Sequence, residues 1–175
     1  GLGENTYLTS SVAEVYLEAN ANVSHYRVQR ESTKAFHVSN IEVVQEKDSN
    51  FSTHTFSFGG KLVRNEVNPV LDGENIFSGL YGLNILNKDQ HIDNTTVIDH
   101  AKPHCESDEQ YRGVYADKSE GVFSGTIIVR QDAQKTNAIQ SNQSVLLSDD
   151  AESQSKPQLK IWADDVKCTH GATVG

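Results

Sequence analysis

Leu17-Glu18-Ala19-Asn20-Ala21-Asn22-Val23-Ser24-His25 returns twice later in the chain. It reappears as Val129-Arg130-Gln131-Asp132-Ala133-Gln134-Lys135-Thr136-Asn137 and as Trp162-Ala163-Asp164-Asp165-Val166-Lys167-Cys168-Thr169-His170. Each copy is an apolar strand end, an Asn/Asp corner, a small apolar residue and a second short strand. Val44 to Thr53 is a weaker copy, and the last two strong copies lie 33 residues apart (165 − 132). Corner chemistry that repeats at such spacing is the mark of a solenoid, in which every coil turns at the same place. At roughly 20–25 residues per coil, this length makes about seven or eight coils. A β-sandwich would explain frequent short strands but not the repeated corners.

The remaining sequence agrees with an all-β reading. Val12–Leu17, Phe36–Val44, Thr53–Phe58, Lys61–Val67, Asn94–Ile98, Gly113–Tyr115, Val122–Val129, Ser144–Leu147 and Leu159–Ala163 are brief, β-rich and often alternating. No segment sustains a helical period. Gln131–Gln143 is rich in Asn, Thr and Ser, which favour turns over helix interiors. Leu80–Leu86 is apolar but short and interrupted by Gly82, so periodicity leaves it undecided.

The 175 residues carry a formal net charge of −9, which argues against nucleic acid and anionic membrane surfaces as partners. No apolar run approaches the roughly 18 residues of a membrane span. The two cysteines, Cys105 and Cys168, are too few for a disulfide framework and fit a reducing compartment. Methionine is absent even at position 1, and both termini fall within strand-like sequence. The expectation is one β-helix core domain over residues 1–175, a segment of a longer chain.

Chemistry concentrates at the end. If the run from Ala163 to Gly175 is a strand, Cys168 and His170 leave the same face, because strand side chains alternate with period two. A sulfur and a ring nitrogen together form a half-site for a metal or an iron–sulfur cluster. The bland alternative makes Cys168 a stacked interior residue and His170 a surface histidine at a turn. His100, His104 and Cys105 form a second cluster, but Pro103 breaks any helical face and zinc spacings are absent. His25, His37, His54 and His91 read as solvated or turn residues. Asp149-Asp150 and Asp164-Asp165 could suggest a β-helical polysaccharide lyase or hydrolase. Neighbouring strand residues face opposite ways, however, so an Asp at a coil corner is the plainer reading. Among nucleotide and hydrolase motifs, no G-x-x-x-x-G-K-[ST] loop or G-x-S-x-G elbow occurs, and Gly1-Leu2-Gly3 lacks the preceding strand of a dinucleotide fingerprint.

An ordered series of motifs is more specific than any one of them. Tyr111-Arg112-Gly113, Gly121 to Val129, Ala133 to Ala138, Gln140-Ser141-Asn142, Leu146 to Asp149, Lys156 to Leu159 and Ala163 to Gly175 follow at fixed spacings. The series closely resembles the C-terminal part of the core of the SufB/SufD family, the scaffold proteins of the SUF iron–sulfur assembly system. Glu4-Asn5-Thr6-Tyr7 and Ser24-His25-Tyr26 also fit. The resemblance covers nearly the whole chain, strongly from Tyr111 onward and more loosely from His37 to His91. With only two cysteines and the closing Lys-Cys-Thr-His-Gly-Ala-Thr-Val-Gly, the chain looks like the SufD branch.

The resemblance implies a right-handed parallel β-helix and a non-enzymatic scaffold in the cytoplasm, or in the plastid stroma of a photosynthetic eukaryote. It implies a SufB-like subunit as partner, and a SufC-like ATPase bound through a helical domain that is not among these residues. By the same resemblance, His170 and Cys168 face the partner and share a transient cluster or iron with it, while the segment alone holds no cluster stably. Because solenoid edges expose unpaired strand groups, a homodimer of the segment is a further expectation. A β-helical carbohydrate-active enzyme and a purely structural solenoid are the competing functions. Acids lining a groove along a sheet would favour the enzyme; chemistry at an interface edge favours the scaffold.

Overall fold

The computed structural model describes residues 5–175; Glu4 of the Glu4–Tyr7 motif and the Gly1-Leu2-Gly3 opening lie outside the described residues. The described chain is all-β. Its strands are β1 (Leu8–Leu17), β2 (Asn22–Gln29), β3 (Phe36–Gln45), β4 (Asn50–Ser57), β5 (Leu62–Leu71), β6 (Phe77–Leu86), β7 (His91–His100), β8 (Glu106–Tyr115), β9 (Glu120–Val129), β10 (Asn137–Leu146), β11 (Glu152–Ser155), β12 (Gln158–Ile161) and β13 (Lys167–Val174). Odd-numbered strands β1 to β11 form one sheet, with β12 also pairing β9; the other sheet runs β13-β10-β8-β6-β4-β2. Pairing is parallel in both sheets, as in Leu8↔Phe36 and Asn137↔Lys167. Since the chain crosses between sheets after nearly every strand, it winds as a β-solenoid of about six turns.

The coil is longer than the sequence suggested. Leu8 and Phe36 stack 28 residues apart (36 − 8), and Glu106 and Asn137 stack 31 apart (137 − 106). The excess comes from strands that mostly run eight to ten residues, where hydrophobicity often marked shorter runs. β7, for example, spans His91–His100 around the shorter Asn94–Ile98, and the undecided Leu80–Leu86 belongs to β6. Strand β11, the four residues Glu152–Ser155, gave no hydropathy signal at all.

Alternation sorts each strand into an inward and an outward row. In β7 every second residue (Ile92, Asn94, Thr96, Ile98, His100) is buried. The interior has two apolar ends and a polar middle. Leu17, Phe51, Leu71, Leu80, Ile98 and Ile127 fill one end, and Val63, Leu86, Ile92 and Tyr115 the other. Between them runs a ladder in which Arg27 Nη2 donates to Asn65 Oδ1 (2.7 Å) and Asn65 Nδ2 donates to Asn94 Oδ1 (3.0 Å). Such stacking satisfies polar groups that would otherwise cost about 1–3 kcal/mol each when buried alone.

Corners repeat as the sequence echo implied. The first five turns out of the first sheet each pass through one left-handed residue, Asn20, Asp48, Asn75, His104 or Lys135, with φ between 58° and 66°. Lys88 and Asp117 do the same at the opposite corner, with φ of 56° and 57°. Corners also bond to one another: Asn20 N donates to Lys47 O at 3.0 Å and Lys135 N to Asp165 O at 2.7 Å. The echo places the corners correctly but slips in register. It sets Asn137 against His170, whereas Asn137 stacks on Lys167, because residues 162–166 make a shorter corner than residues 130–136 and the true partner of Val129 is Ile161, not Trp162.

Candidate functional site

Among the described residues the last strand β13 pairs with β10 alone, and no described strand pairs with its other edge. Cys168 stacks on Ala138 and His170 on Gln140, two residues that are 0% and 2% exposed. Both therefore stand in inward rows of the last coil, on one face, as the period-two reading required. Cys168 is half-buried and packs against the main apolar cluster. Its burial pushes the thiol pKa up. Among the described residues no further coil lies over its row, and His170 is exposed. These residues thus offer two donors of cluster-binding type, a thiol and an imidazole, two positions apart on one face of β13.

Beneath His170 lies a buried polar pair that sequence reasoning missed. His170, Gln140 and Glu109 occupy one row on successive coils. Gln140 Nε2 donates to Glu109 Oε2 at 2.7 Å, and Glu109 is fully buried. Burial pushes the Glu109 carboxyl up to about 7, against the hydrogen bond from Gln140. Across the interior, a Cβ at Gly125 would stand 2.3 Å from Gln140 Nε2 and 2.9 Å from Cδ, so the glycine makes the seat for this amide. The pair is separated by 31 residues (140 − 109), a spacing with meaning only once the coil length is known.

The other candidates do not converge. His100 is buried and its Nε2 lies 2.9 Å from Ser107 Oγ; burial lowers its pKa to about 4. His104 is a left-handed corner residue, and Cys105 Sγ is buried 3.2 Å from Gly73 O. Among the described residues, no three His, Cys, Asp or Glu side chains come together as a metal set. The histidines read as solvated or turn residues instead lie on strands. His25 Nδ1 is 2.9 Å from Thr53 Oγ1, His37 Nδ1 is 3.0 Å from Glu31 Oε2, and His91 Nδ1 is 3.0 Å from Glu120 Oε2. His54 stacks between Tyr26 and Tyr81, with ring centroids 4.7 and 5.0 Å away. For His25, His54 and His91 the parallel stack supplies a partner one coil away, which a single-strand reading cannot see; the partner of His37 comes from the corner just before its strand.

Acids are arranged as corner residues. Asp149, Asp150, Asp164 and Asp165 all lie between strands, and Asp165 pairs with Lys135. A shallow groove of about 450 Å³ on the outward face of the second sheet is lined by His54, Phe56, Tyr81, Leu83, Gln110 and Arg112, among others, and no carboxylate. The adjacent Asp108 accepts hydrogen bonds from Tyr81 and Gln110. The arrangement of acids along a sheet groove that a carbohydrate-active enzyme needs is thus not found there.

Comparison with known proteins agrees with the architecture. The family described as SUF system FeS cluster assembly, SufBD core domain, matches residues 1–175. The iron–sulfur cluster assembly protein SufD of Escherichia coli is 33% identical over 174 residues, covering 99% of this chain and 41% of its own length. A SufBD family protein of Synechocystis is 35% identical over 171 residues (98% and 38%). The chloroplastic protein ABCI7 of Arabidopsis thaliana is 35% identical over 174 residues (98% and 36%). The chain spans about two fifths of the length of these curated relatives.

Proposed function

Because this chain belongs to the SufBD core family of the SUF iron–sulfur cluster assembly system, we propose that it is the solenoid part of a scaffold subunit that holds iron or a nascent cluster as cargo. The observation that carries this reading is the pairing of Cys168 and His170 on one inward face of β13, whose other edge no described strand pairs. A SufB-like subunit docks at this end, supplies the principal thiolate and completes the coordination. Two donors from one chain leave most positions of a cluster unfilled, so the segment alone holds none stably. A SufC-like ATPase binds through a helical domain outside these residues. The role is non-enzymatic. The compartment is the cytoplasm, or the plastid stroma in a photosynthetic eukaryote; relatives named from bacteria and from a chloroplast support both.

The test is anaerobic reconstitution of the full-length complex carrying His170→Ala. Iron and acid-labile sulfide per complex should fall while the β-fold, read by circular dichroism, is retained. Cys168→Ala should have the smaller effect, since Ala keeps the packed row apolar. Normal cluster assembly in the His170→Ala complex would sink the proposed role.

A further inference from the structure

The buried side-chain oxygen of Gln140 has no hydrogen-bond partner, although the residue is only 2% exposed. A buried acceptor left unmade costs about 1–3 kcal/mol, so its position calls for a donor. Nε2 is committed to Glu109 on the preceding coil. The wall at Gly125 closes on Nε2 and Cδ from the opposite sheet. On the following coil the residue in register is His170, whose ring makes no hydrogen bond to this oxygen in the structure. Rows on adjacent strands lie about 4.8 Å apart, within reach of one imidazole N–H.

We propose that Gln140 is a positioning residue for His170: its Oε1 accepts the ring N–H of His170 and turns the other ring nitrogen outward. A histidine that binds metal needs one nitrogen free of its proton, and the hydrogen bond made by the other nitrogen decides which one that is. Glu109 acts one step further in, by holding the amide the right way round. The proposal rests on the reading of His170 as an iron ligand, and it extends the site from two exposed side chains to a column of three coils.

The test separates the two ideas. Long-range ¹H–¹⁵N spectra of the full chain, labelled at histidine and recorded at pH 8, report the tautomer of each neutral ring. His170 should hold a single tautomer in the wild type and a mixture in Gln140→Met. Binding of Co²⁺ alone should weaken about tenfold in Gln140→Met, the usual scale for losing an orienting partner. A free-imidazole mixture at His170 in the wild type overturns the proposal with no variant needed, which covers the case of a variant that fails to fold. An unchanged tautomer in folded Gln140→Met overturns it equally. Co²⁺ binding that is the same in His170→Ala as in the wild type overturns instead the reading of His170 as a ligand.

Discussion

The ring of Tyr111 occupies the space that a side chain at Gly82 would need: a Cβ there would stand 2.4 Å from both Cδ1 and Cε1 of the tyrosine on the next coil. Tyr111 is itself buried within the main apolar cluster, so the ring has nowhere to retreat. Gly82→Ala should therefore destabilise the chain by about 1–3 kcal/mol, the usual cost of overpacking. Gly171 on β13 has nothing within 4 Å of an added Cβ, and Gly171→Ala should change stability by less than about 0.5 kcal/mol. Equal melting temperatures for the two variants would contradict this account of the interior.

Two buried groups should oppose each other in the pH dependence of stability. Glu109 is raised by burial from 4.5 to about 7, so the folded state keeps a proton that the unfolded chain releases. Its favourable contribution is complete below about pH 4.5 and is lost as pH rises to about 7. His100 is lowered by burial from 6.5 to about 4, so its contribution is complete above pH 6.5 and is lost as pH falls toward 4. The two slopes offset each other between about pH 4.5 and 6.5. Glu109→Gln should remove one of them, so that the variant gains on the wild type as pH rises from about 4.5 to 7, by at most about 3 kcal/mol. Parallel melting curves for the two proteins across that range would refute a buried, titrating Glu109.

Lys88 adopts a φ of 56° at its corner, where its N–H donates to Asp117 Oδ2 at 2.8 Å. The left-handed region costs an ordinary residue roughly 1–2 kcal/mol and a β-branched one more. Lys88→Gly should match or exceed wild-type stability, and Lys88→Val should lose about 1–2 kcal/mol. Thermal melts that rank valine level with glycine would show that the corner is not held in this conformation in solution.

The two thiols should differ in accessibility. Cys105 is fully buried against the Gly73 carbonyl, and burial raises its pKa. Cys168 is half-buried at the end coil and is also raised by burial. Because the thiolate is the nucleophile, iodoacetamide at neutral pH should label Cys168 slowly and Cys105 only after unfolding. Mass spectrometry of the folded chain showing Cys105 modified first would reverse the assigned burial.

The all-β class, the corners and the shared face of Cys168 and His170 were legible in the sequence because each depends on neighbours a few residues apart. Alternation along Lys167–Val174 is a local property, and so is the preference of Asn20, Asp48 and Asn75 for left-handed corners. Strand length was not legible, because inward positions such as Asn94 and Thr96 are polar and interrupt the apolar pattern, although the stack accommodates them. Register was not legible either. The echo was three residues out after the β9–β10 corner: it set Val129 one residue past its partner Ile161, and residues 130–136 make a corner two residues longer than residues 162–166. Only the tertiary structure could set Glu109, Gln140 and His170 in one row. That row depends on the number of residues in each whole coil, and the packing of ring against glycine and amide against carboxyl across coils is what holds that number in place.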